Sequence, residues 1–231
     1  MRGSLPDRGR AGLLLASSSV AALLIGGGAP AALAAPCNNP VTPPFSNAAA
    51  VTNICVHNGT FSGLVVNSGT VTPNGIAVQN ATLTGEVIST GTLAGGISVD
   101  NLSRISGFSR GIAVTNTLTG GITNAGVLSP ISAQSATGIS AQVMSTFAGG
   151  IANTGTISTG ANIGGGIMVR KVSAFSGGIS NGGTITGGGT NTGGIVVGGP
   201  SPLTCCNVTT FTGGITNSGL ITDPQFGIDV R

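Results

Sequence analysis

The sequence predicts an all-β chain wound as a parallel β-helix, or β-solenoid, of about six coils. Three observations carry this: an eleven-residue motif recurs six times, its large apolar residues fall on one parity, and 42 of the 231 residues are Gly. Period two is the spacing of one strand face, and this much glycine destabilises helices. Only 6% of the chain is charged, while 40% is hydrophobic and mean hydropathy is +0.45, the opposite of a disordered composition. With no Trp, no Tyr and 7 Phe, the core has to be built from Val, Ile, Leu and Ala by repetition.

In chain order, Arg2, Arg8 and Arg10 precede an apolar run from Ala11 to Ile25, then three glycines and the small-residue stretch APAALAAP. This is the charged, apolar and A-x-A order of a secretory signal, which places cleavage between Ala34 and Ala35. Residues 35–60 then read as an N-terminal cap holding Cys37 and Cys55, close together in an unrepetitive stretch. Cys205 and Cys206 stand side by side in the loop-like GGPSPLTCCNVTT. Four cysteines in an exported chain suit disulfides and allow three connectivities. Pairing of Cys37 with Cys55 is favoured by their proximity, and a strained vicinal bridge is conceivable at Cys205 and Cys206.

Residues 61–231 hold the repeats: FSGLVVNSGTV from Phe61, LTGEVISTGTL from Leu83, LTGGITNAGVL from Leu118, FAGGIANTGTI from Phe147, FSGGISNGGTI from Phe175 and FTGGITNSGLI from Phe211. Their starts are 22, 35, 29, 28 and 36 residues apart, as in a structural coil with variable insertions. Short Gly-Ile elements such as GIAV at 75–78, GISV at 96–99 and GIDV at 227–230 lie between copies and read as further strands. Motif positions 1, 5 and 11 face inward, so in-register stacking predicts one column of Phe61, Leu83, Leu118, Phe147, Phe175 and Phe211. Val65, Val87, Ile122, Ile151, Ile179 and Ile215 should form a second. Position 7, occupied by Asn67, Asn124, Asn153, Asn181 and Asn217, predicts one ladder of amides bonded from coil to coil. Position 9 is always Gly, and the Asn-x-Gly step is expected to turn the chain through positive φ.

Chemistry is sparse. Arg2, Arg8, Arg10 and Asp7 account for much of the net charge of +3, so no basic stripe remains for nucleic acid. His57 is the only histidine and no C-x-x-C occurs, which leaves zinc without support. Neither the aspartate-bearing calcium repeat nor a phosphate-loop signature is present. Glu86 sits on an outward motif position and reads as a solvated group, Arg170 and Lys171 as the start of a solvated loop, and Asp223 before Pro224 as a turn. No catalytic, metal or cofactor constellation emerges, and no cofactor is expected. N-x-[ST] matches open at Asn58, Asn80, Asn101 and Asn207, at about the rate such a composition produces by chance.

The Gly-Gly-Ile and Asn-x-Gly steps behind an Ala-rich signal resemble the passenger regions of bacterial autotransporters of the adhesin type. The resemblance spans residues 61–230 and rests on a degenerate motif. It implies a right-handed β-helix at the bacterial cell surface, outer membrane or outside the cell, serving in adhesion to a surface ligand, a host or matrix glycan or a protein. In some members it implies an enzyme, and a secreted polysaccharide lyase or hydrolase is the alternative expectation. The C-terminal barrel of that family has no counterpart within the sequence, which stops at GIDVR part-way through a coil, so the chain is expected to be a piece of a longer surface protein.

Overall fold

A computed structural model describes residues 37, 39–107, 109–130, 136–159, 165–187, 193–199, 207–222 and 225–231. Residues 1–34, Cys205, Cys206, Asp223 and Pro224 lie outside the described residues. Among those described, the chain is all-β, without a helix, and every strand pairing is parallel. Away from the two ends of the described stack, each strand pairs with a strand one coil before and one coil after, which makes the fold a parallel β-solenoid.

The interior consists of four apolar columns that the chain visits in a fixed order. From Val65 it passes to Val71, Ile76 and Leu83, then begins again at Val87, Leu93, Ile97 and Ile105. We name these columns I to IV. Column I continues through Ile112, Ile139, Ile167, Ile195 and Ile228. Column II runs Leu118, Phe147, Phe175 and Phe211, with Phe147 and Phe175 edge-on at 4.8 Å between centroids and Phe175 stacked on Phe211 at 5.2 Å. Column III runs Ile122, Ile151, Ile179 and Ile215. Column IV runs Leu128, Ile157, Ile185 and Ile221. Away from the two ends these side chains are fully buried in one cluster. Burial of that extent is what strands of three residues need, because none of them could stand alone.

This corrects the columns expected from the motif. Leu83 stacks on Ile105, not Leu118, and Val87 stacks on Ile112, not Ile122. The first two motif copies pass through columns IV, I and II, whereas the last four pass through II, III and IV. The motif therefore supplies three of the four columns while crossing half the circumference, and the Gly-Ile elements supply the fourth. The spacing of 35 between Leu83 and Leu118 is one coil to Ile105, 22 residues, plus a half-coil of 13. Columns I and III both accept Ile or Val, so the switch in phase leaves every column filled by an aliphatic residue.

Stacking already begins inside the segment 35–60 assigned to a cap. Phe45–Asn47 pairs with Val65–Asn67, and Ala50–Ser62 pairs with Thr70–Thr84. The stretch FSNAAAV from Phe45 is a disguised half-coil in which Phe45 replaces the usual Ile or Val and Ala49 stands where later copies have Gly. Arg170 and Lys171 also differ from expectation, since both lie within the strand Ile167–Phe175.

Candidate binding faces

The asparagines build two ladders rather than one. Asn47 Nδ2 donates to Asn67 Oδ1 at 2.8 Å, and Asn67 Nδ2 to Ser89 Oγ at 3.1 Å, beside column I. Beside column III, Asn124 donates to Asn153 at 2.7 Å, Asn153 to Asn181 at 2.6 Å and Asn181 to Asn217 at 2.7 Å. Asn67 is thus parted from the other four by the half-coil switch. The main-chain carbonyl of Asn153 accepts from Gly182 N at 2.8 Å and Gly183 N at 3.1 Å of the next coil, and Asn124, Asn181, Asn47 and Asn67 repeat the pattern. The bend after each Asn is therefore held by its own amide and by two donors above it, which satisfies polar groups that the bend would otherwise bury.

Position 9 needs glycine for a different reason than the one expected. Gly69, Gly91, Gly126, Gly155, Gly183 and Gly219 do not adopt positive φ. A Cβ on Gly155 would come within 2.1 Å of Gly126 O, and one on Gly183 within 2.0 Å of Gly155 O. The requirement is close approach of one coil to the next. Positive φ occurs instead earlier in the motif, at position 3 in Gly63, Gly177 and Gly213 and at position 4 in Gly150, Gly178 and Gly214, the last three where the chain enters column III.

Cys37 is bonded to Cys55, with Cα atoms 5.5 Å apart. Cys55 is on the outer side of the strand Ala50–Ser62, packed on Ala77. Val41 N donates to Cys55 O at 2.7 Å, so the bridge ties the segment leading into Phe45 along the column III edge of the first coil. Cys205 and Cys206 lie outside the described residues.

Glu86 is not the solvated group its parity indicated. Its side chain is only 6% exposed, and Oε1 accepts from Ser109 N at 2.7 Å, Ser109 Oγ at 3.1 Å and Arg110 N at 3.1 Å. The carboxylate fastens the start of the strand Arg110–Leu118 to the coil beneath it. The signal was present in the sequence, since Glu86 fills position 4, which is Gly in each of the last four copies. Asp100 has a similar duty, accepting from Asn80 N at 2.9 Å and Leu102 N at 3.2 Å. Among the described residues no group of three His, Cys, Asp or Glu side chains could hold a metal ion.

What the coils present outward is regular. Beside column II, the residue before each core side chain forms one rank: Thr70, Thr92, Thr117, Thr146, Ala174 and Thr210. The residue after it forms a second rank of Thr72, Ala94, Thr119, Ala148, Ser176 and Thr212. This second rank is pinned by Ala94 N to Val71 O, Thr119 N to Leu93 O, Ala148 N to Leu118 O, Ser176 N to Phe147 O and Thr212 N to Phe175 O, at 2.8 to 3.1 Å. Neither rank holds a charged residue. The corresponding face beside column IV also bears Thr82, Thr156 and Thr184, but Arg104, Val127 and Leu220 interrupt it. Beside column I, the outward Ala113, Ser140, Met168 and Val196 are buried. A hollow of about 390 Å³ lies near the first coils, lined by Pro44, Phe45, Leu64 and Val66.

No family model, curated protein or solved structure matches the chain.

Proposed function

We propose that this is an exported protein whose solenoid, right-handed and of about six coils or more, works as a non-catalytic structural or adhesive element at the bacterial cell surface, as in an autotransporter passenger. The observation that supports the reading most is the continuous coil-to-coil pairing, which devotes the sequence to repeated outer faces while carboxylates such as Glu86 and Asp100 bind backbone amides of their own chain. A charge used in that way holds the scaffold in shape and is not positioned for a substrate. The secretory signal and the Cys37–Cys55 bridge accord with an oxidising compartment.

The test is to express the full chain in a bacterial host and follow its location by surface proteolysis. Adhesion of those cells to immobilised matrix proteins and glycans is then compared with cells lacking it. Retention in the cytoplasm, or surface display with no gain in adhesion to any of them, contradicts the reading. Turnover of a polysaccharide panel by the purified chain, abolished by one substitution, replaces it with the enzyme alternative.

A further inference from the structure

The pair of uncharged ranks beside column II is a two-dimensional array, and the geometry points to a two-dimensional ligand: the ordered water of an ice surface. This goes beyond the adhesive reading and needs neither export nor attachment, because it stands on the face alone.

Parallel strands set rows about 4.8 Å apart, and residues two apart along a strand stand about 6.6 Å apart. Thr117 and Thr119 flank buried Leu118, the last residue of its strand, and Thr92 and Thr146 lie on the coils below and above Thr117 in direct register. The row spacing is close to the oxygen repeat along the short axis of a prism face of hexagonal ice, and the separation of the two ranks falls somewhat short of the repeat along its long axis. Threonine suits such a lattice for a physical reason. Its β-branched side chain has little χ1 freedom, so hydroxyl and methyl are held at fixed heights with little ordering entropy left to lose. A single hydroxyl contact is weak, and only many rigid contacts made together resist release. Such a surface must also contain no strongly hydrated ion, and all twelve positions of the two ranks are Thr, Ser or Ala.

A crystalline glycan is the competing solid. Flat sugar surfaces are bound by aromatic stacking, and the chain has no Trp and no Tyr, so the array favours ice. The face beside column IV serves as an internal control because Arg104, Val127 and Leu220 break its lattice.

The experiment uses the purified full chain in three measurements: enrichment in a slowly growing ice fraction, arrest of ice-crystal growth, and co-sedimentation with crystalline cellulose and chitin. Two exposed positions of the face are changed separately, Thr119→Lys and Thr146→Lys, with Thr222→Lys on the column IV face as control, and thermal unfolding verifies folding of each. The expected result is ice enrichment by the wild type and a fall of about tenfold or more in growth arrest for either face variant, since contacts that cannot engage together lose their avidity. Thr222→Lys should retain activity. The proposal is overturned if the wild type is excluded from ice, if it sediments with cellulose or chitin instead, or if folded face variants arrest growth as well as the control.

Discussion

Val99 lies directly beneath Asn124 in column III's strand stack, and at this step a run of valines gives way to an amide ladder. Val56, Val78 and Val99 occupy the place on three successive coils, followed by Asn124, Asn153, Asn181 and Asn217. The opposite exchange occurs beside column I, where Ser89 is followed by Val114. Asn124 pays for the junction: its Oδ1 is buried without a donor, because a valine below has none to offer.

Supplying that donor should help. Val99→Asn is expected to be less destabilising than Val78→Asn by about 1–2 kcal/mol, since only the former places an amide under an orphaned acceptor. Denaturant unfolding of the two variants measures the difference. Equal losses would show that Asn124 Oδ1 is satisfied some other way.

Inside the ladder the sign reverses. Asn153→Ala removes both amide links, leaving Asn124 Nδ2 with its bond to Gly126 O alone and the Oδ1 of Asn181 without its donor. A loss of about 1–3 kcal/mol is expected for the one buried acceptor left without a donor, against little change for Thr154→Ala, whose side chain is exposed. Thermal unfolding of the pair provides the comparison.

Coil spacing can be probed at one atom. Gly155→Ala forces a methyl against Gly126 O and should cost about 2 kcal/mol or more by overpacking. At the equivalent place in the first described coil, Ala49 already carries that methyl, because no described coil lies beneath it. Ala49→Gly should change stability by under about 1 kcal/mol, reflecting backbone entropy alone. A mild Gly155→Ala would mean that neighbouring coils can separate locally.

Glu86 should matter for stability through its shape and lone pairs more than its charge. Glu86→Ala leaves Ser109 N and Arg110 N without their acceptor, a cost of about 2–3 kcal/mol. Glu86→Gln keeps a carbonyl oxygen at the same reach and should recover more than half. Hydrogen exchange at Ser109 and Arg110 would report the loss residue by residue. Protection unchanged in Glu86→Ala would disprove the fastening role.

Much of the fold was legible because repetition fixes faces. The parity of Ile151 and Ile157 puts them inward, and Asn153 ends its strand where the bend was expected. The winding phase was not legible from composition, because columns I and III accept the same residues and Val87 fits under Ile112 as well as it would under Ile122. Only the odd spacing of 35 recorded the half-coil step. Glu86 was misplaced because parity describes an isolated strand, while its burial depends on how Ser109 and Arg110 cross the coil above. The outer ranks beside column II were written in the sequence as Thr117-Leu118-Thr119 and its relatives, but their alignment needed the coil register.

The half-coil unit also sets what a change of length does to this architecture. Inserting or removing a whole coil lengthens or shortens the rod and leaves every later side chain on its original side. Inserting or removing a half-coil, two successive core positions with their bends, exchanges columns I with III and II with IV for everything downstream, while every strand still finds a parallel neighbour. The threonine ranks would then break in the middle and continue around the rod on another side. Lineages of such chains can therefore rearrange their surfaces by copy number alone, without altering a single core residue.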